Sequence, residues 1–146
     1  MNSNLYPDDI LHYIVRLSKM LNKNFDSNLE ESGLTSVQGR SLLYIWRNKN
    51  IGVTLTQKEL GDFFGLSKST TSELIHRMKS KDLIHTEIEN KKVYLLLTEK
   101  GLSLIDVILK GREETVKRLE SSLKPEEAQL IKNYLKTLIT NVKGEE

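Results

Sequence analysis

Residues 54–98, TLTQKELGDFFGLSKSTTSELIHRMKSKDLIHTEIENKKVYLLLT, decide the fold of this 146-residue chain. Thr56 followed by Glu59 has the spacing of a capping box, in which the hydroxyl and the carboxylate each satisfy a backbone N–H left free at a helix start, so a helix is expected from Gln57. Leu60, Phe63 and Phe64 recur at helical spacing, Gly61 leaves room for a crossing helix, and Gly65 ends the segment by adopting the left-handed conformation that a sharp turn needs. Ser67 is the next N-cap, and Thr71, Leu74, Ile75 and Met78 form the apolar stripe of a second helix. After Leu83 the period becomes extended. His85 to Ile88 and Val93 to Leu97 read as two strands around the polar tip Glu89-Asn90-Lys91-Lys92. Helix, turn, helix and hairpin in that order predict a winged helix-turn-helix, a double-stranded-DNA-binding device.

The polar face of the second helix carries the chemistry such a device needs. Hydroxyl side chains meet groove edges or phosphates, while lysine and arginine neutralise phosphates. Ser67, Lys68, Ser69, Thr70, Ser72, His76 and Arg77 are therefore the candidates for selecting sequence, with Lys79, Lys91 and Lys92 holding the backbone. Serine and threonine also gather at helix starts simply as caps, and a charged turn can be a solvated one. Glu73 either accepts from a cytosine amino group or pairs with Arg77 one helical turn on, the pairing being the expectation.

The chain resembles the MarR family of bacterial transcription regulators along nearly its whole length. Leu34-Thr35 with Gln38 is similar to the opening of the family's second helix, Leu55 to Leu66 to its first reading-head helix, and Ser67 to Met78 to its recognition helix. Lys81-Asp82-Leu83-Ile84 is similar to the exit from that helix, and Leu97-Thr98-Glu99-Lys100-Gly101 to the stretch after the wing. The wing departs from the family: lysines stand where two arginines are usual, and the approach to the tip is shorter. Lysine lacks the planar fork that suits arginine to narrow grooves.

Outside the head, Ile10, Ile14, Leu17, Leu21 and Phe25, widened by Leu11 and Val15, stripe a helix expected from about Pro7 to Glu31. Leu102, Ile105, Ile108 and Leu109 lead through Val116 and Leu119 to Leu123, and Pro125 opens a final helix bearing Leu130, Ile131, Tyr134, Leu135, Leu138 and Ile139. The expected layout is one mainly α domain over 1–146, with 34–101 as the winged head and 1–33 and 102–146 as dimerisation helices, ending in a frayed Glu145-Glu146. These helices are too apolar to stand alone, so a homodimer is expected, as the resemblance also implies. A dimeric repressor would read a short inverted repeat, its two recognition helices lying about one DNA turn, roughly 34 Å, apart. The resemblance further implies an effector crevice between head and dimerisation helices. By position His12, Tyr13, Arg16, Tyr44 and Trp46 are its candidates, aromatic walls and a cation suited to a small aromatic or anionic ligand, although aromatics at this spacing also serve as core.

Composition bounds the alternatives. The net charge of +2 is small, so attraction to DNA must come from placement. With no cysteine there is no thiolate redox switch, disulfide or cysteine-ligated zinc. His12, His76 and His85 lack paired-ligand spacing, and a metal or other cofactor is not expected. Gly61 to Gly65 with Lys68-Ser69 is no P-loop, since four residues must separate the glycines and lysine must follow the second directly. No nucleophile elbow, dinucleotide fingerprint or acid/base constellation is present, so the chain is not expected to be an enzyme. No apolar run is long enough to span a bilayer and MNSNLYPDD lacks the build of a signal peptide, which makes the cytoplasm the expected location and leaves no membrane partner. The rivals are a winged helix serving as a protein-interaction module, which should present an acidic or apolar face, and a small-molecule-binding protein that does not bind DNA.

Overall fold

The computed structural model describes residues 5–144, so the expected fraying at Glu145 and Glu146 lies outside the described residues. Among the described residues, seven α-helices and one hairpin run in the order α1 (Ile10–Asn28), α2 (Ser36–Asn50), α3 (Gln57–Phe64), α4 (Lys68–Ser80), β1 (Ile84–Glu89), β2 (Lys92–Leu97), α5 (Glu99–Ser103), α6 (Ile105–Glu120) and α7 (Pro125–Lys143), with a 3-10 turn over Glu30–Ser32. The mainly α winged helix-turn-helix expected from the sequence is present.

The first helix starts later than Pro7. Asp9 is its N-cap, the carboxylate accepting from the His12 N–H at 2.7 Å, and an acidic cap there serves the free amides better than a chain continued back to proline. Its C-terminal half enters the core: Leu29, 1% exposed, lies where a Cβ on Gly39 of α2 or Gly111 of α6 would meet it, so both helices approach it closely because they carry glycine there. Asn28 fastens the crossing by donating from its side-chain amide to the Gly111 carbonyl and to the Thr115 hydroxyl at 3.0 Å. Thr35 and Gln38 form a complete capping box at the start of α2.

Leu42, Leu60, Met78, Leu83, Leu95 and Ile108 are buried to 1% exposure or less and tie α2, α3, α4, the wing and α6 into one core. The apolar stretch expected to run from Leu102 to Leu123 is divided at Leu104, where α5 ends and α6 begins. No residue of α7 is buried, and Leu130, Ile131, Tyr134, Leu135 and Ile139 all stand exposed. No described helix is long and apolar enough to cross a membrane.

Candidate nucleic-acid interface

The reading head is assembled by caps and close approaches. Thr56 accepts from the Glu59 N–H at 3.2 Å, the threonine half of the expected box. The return contact from the Glu59 carboxylate, present in the Thr35–Gln38 box, is not among the hydrogen bonds of the described residues, and Glu59 stays exposed. The chain around Thr56 is instead engaged by the wing: Leu95 donates to the Leu55 carbonyl at 2.8 Å, and Thr56 bridges to Tyr94. Gly65 ends α3 at φ 66°. Gly61 faces Thr71 so closely that a Cβ would overlap its hydroxyl, which is how α3 and α4 cross at contact distance.

Helix α4 begins at its Ser67 cap, whose hydroxyl accepts from the Thr70 N–H at 3.2 Å and donates to the Thr70 hydroxyl at 2.9 Å. Thr71, Ile75 and Met78 are buried, and every one of Ser67, Lys68, Ser69, Thr70, Ser72, His76, Arg77 and Lys79 is exposed. The predicted reading residues therefore share the face away from the core. Some are already partnered. Ser72 accepts from the Gln57 side-chain amide at 3.1 Å, so Gln57 of α3, which the sequence did not single out, positions it. Lys79 donates to the Thr86 hydroxyl of β1 at 3.4 Å. Arg77 pairs with Glu73 at 2.5 Å, as their spacing predicted. Lys81 turns inward to the Gly33 carbonyl and Gln38 side chain, at 3.0 and 2.9 Å.

The wing is a two-residue hairpin. Asn90 and Lys91 have φ of 51° and 64°, the positive pair a type I′ turn requires, and Ile84 pairs with Leu97 through to Glu89 with Lys92. Lys91 is thus at the tip and Lys92 is the first residue of the returning strand, opposite a carboxylate. Both lysines and Lys68 line one open hollow of about 510 Å³ between the starts of α3 and α4 and the wing, with Gly61, Leu66, Thr71 and Val93 among its other walls. On α3, Lys58 is held by Asp62 at 2.8 Å, and that hydrogen bond raises the Lys58 ammonium above its ordinary range.

A clasp fixes the far end of α4. Asp82 turns the chain at φ 57°, Thr98 donates to its carbonyl at 2.6 Å and accepts from the Gly101 N–H at 3.0 Å, and Lys100 donates to the Lys81 carbonyl at 2.8 Å. A Cβ on Gly101 would collide with the Leu83 carbonyl. The Lys81-Asp82-Leu83 and Thr98-Glu99-Lys100-Gly101 stretches are therefore two sides of one joint between α4, the wing and α5.

The expected effector residues occupy separate places within one chain. His12 and Arg16 line an open hollow of about 430 Å³ on the first half of α1 with Tyr6, Val15 and Lys19, and Tyr6 stacks on His12 at 5.7 Å. Tyr13 donates to Asp8, a bond that, with the carboxylate's charge, raises the phenol above its ordinary range. Tyr44 and Trp46 pack against the core instead, Tyr44 stacked on Phe63 at 4.1 Å. Near Tyr44 the structure reveals cations that sequence spacing left unnoticed. Arg40 lies over the Phe64 ring at 5.0 Å, and desolvation followed by the charge of Arg112 lowers its guanidinium below the ordinary arginine range. Arg112 is lowered by desolvation and then by Arg47. Arg40 and Arg47, two turns apart on α2, were visible as one helix face; Arg112 comes from α6 and was not.

No group of three or more metal-binding side chains gathers among the described residues.

Known proteins resemble this arrangement. The MarR family pattern matches residues 32–91. No curated protein matches the chain. Among solved structures, the S. aureus MepR–DNA complex is 22% identical, covers 92% of this chain and 96% of that one, and superposes with a TM-score of 0.81. MarR from Oenococcus oeni PSU-1 is 28% identical over 90% of this chain and 98% of that one, with a TM-score of 0.74. A MarR protein from Peptoclostridium difficile is 21% identical over 97% and 92%, with a TM-score of 0.84. The family pattern lies over the head, and solved structures of MarR proteins share this fold over nine-tenths or more of the chain.

Proposed function

We propose that this protein is a sequence-specific DNA-binding transcription regulator, a homodimeric repressor of a short inverted-repeat operator, relieved by a small-molecule effector. The observation that carries the DNA reading is the exposed hydroxyl and cationic face of α4, locked in place by the α3 crossing, the Gln57–Ser72 bond and the Thr98–Gly101 clasp. A groove-reading helix must be both presented and rigid, and this one is. Lys68, Lys91 and Lys92 around one hollow give phosphates a place to sit beside it. The DNA complex of the similar MepR supports the same reading.

The exposed apolar residues of α1 and α7 support the dimer, because contiguous apolar faces of that kind are normally covered by a partner. An anionic aromatic effector is supported by Arg40, which lies over Phe64 next to the Phe63 ring that stacks on Tyr44, and by Arg112 and Arg47, whose like charges act on it in series; none of the three is in an ion pair among the described residues. Such a ligand would act by changing the angle between the two heads, and so their spacing on DNA. The test is fluorescence anisotropy at low ionic strength with genomic fragments enriched on the protein. Saturable binding that survives excess random duplex is expected; well-folded protein that retains no fragment would overturn the proposal.

A further inference from the structure

We infer that Glu73 is a positioning residue for DNA specificity: it holds Arg77 away from the phosphates of arbitrary sequences and thereby widens the gap between operator and random DNA. The inference rests on the proposed reading of α4 as the DNA-facing helix. Glu73 is the sole carboxylate of α4, and at 100° per residue it lies almost opposite the buried stripe of Thr71, Ile75 and Met78. A duplex meeting α4 must meet Glu73. Its Oε1 is 2.5 Å from a guanidinium nitrogen of Arg77, and the two side chains remain 60% and 66% exposed respectively. Neither is buried behind other groups, so a duplex can open the pair.

The chemistry on the two kinds of DNA differs. On a random sequence, α4 rests against phosphates, which repel a carboxylate and offer it no donor; Arg77 stays with Glu73 and neutralises no phosphate. At a site that places a cytosine amino group against Glu73, the carboxylate accepts from that group and Arg77 becomes free for a guanine edge or a phosphate. Discrimination then arises from one residue penalising the wrong DNA as well as favouring the right DNA.

The experiment uses the full chain and two ligands: a random-sequence duplex pool and the tightest duplex selected on wild type. Glu73→Gln is expected to bind the random pool more tightly at low salt, with a log–log salt slope steeper by about 0.9, the value for one additional phosphate neutralised. Between about 50 mM and 200 mM salt its random-pool affinity should fall about three- to fourfold more than that of wild type. The ratio of selected to random affinity should drop. In an Arg77→Gln background, Glu73→Gln should leave the slope unchanged, because the carboxylate acts through the arginine. An unchanged ratio, or the same steepening without Arg77, would overturn the inference while leaving α4 as the reading helix. Wild type that binds neither duplex would overturn the DNA reading and this inference with it.

Discussion

The head and the flanking helices of this protein satisfy their apolar groups in opposite ways. From Leu55 to Gly101 the apolar side chains mostly turn inward: Leu55, Leu60, Ile75, Met78, Leu83, Ile84 and Leu95 are buried, and every helix start between Thr56 and Thr98 has a side-chain cap. In α7 nothing is buried, and the first half of α1 exposes Ile10, Leu11, Ile14 and Leu17. One region is complete within a chain. The other has the composition of a core and leaves it uncovered. Stability and recognition geometry should therefore be separable by mutation, with changes in the flanks altering assembly and changes in the head altering either folding or contact with DNA.

The sharpest way to break the contrast is to charge the flank. Ile131→Asp with Leu135→Asp should cost nothing to a monomer that exposes both side chains, yet should convert a dimer to monomers in light scattering and cut operator affinity at least about a hundredfold by removing one of two half-sites. A variant still dimeric, with operator affinity intact, would show that α7 needs no partner there. Gly101→Ala is the matching strike at the head, where the new Cβ meets the Leu83 carbonyl; a loss of about 1–3 kcal/mol is expected in chemical denaturation, with the assembly unchanged. Thr56→Ala should cost about 1 kcal/mol by leaving the Glu59 N–H without its cap. Smallest in free energy is Lys91→Ala with Lys92→Ala, which should leave the melting temperature alone and flatten the salt dependence of binding by up to about 0.9 for each phosphate no longer neutralised. Identical salt slopes for variant and wild type would remove the wing from the interface.

The parts of this molecule legible in its sequence were those written in short-range chemistry. Ser67, Gly65, the α4 stripe and the Glu73–Arg77 pair each involve residues within a turn or two of one another, and each was found where its spacing put it. The hairpin was legible for the same reason, although the register that makes Lys92 a strand residue is set by the positive-φ turn at Asn90 and Lys91. What stayed hidden joins distant segments. Thr98 donating to Asp82, Lys81 turning inward to Gln38, and the charge of Arg112 on α6 acting on Arg40 of α2 leave no periodic trace, because no local rule specifies which segments will come together. Of the five residues expected to line an effector crevice, His12, Tyr13 and Arg16 share the exposed half of α1, whereas Tyr44 and Trp46 pack on the core: aromatic spacing reports a helix face, and which faces come together is set by the fold.

The central claim is that α4 presents its Ser67 to Arg77 face to a duplex, twice, at a separation set by the flanks. Sequencing the genomic fragments retained by wild type and by Thr70→Ala tests it most directly. The account predicts an inverted repeat with half-site centres about 10 base pairs, or a small multiple, apart, and a changed base preference within each half-site for the variant. Fragments with no shared motif, or the same motif for both proteins, would contradict it.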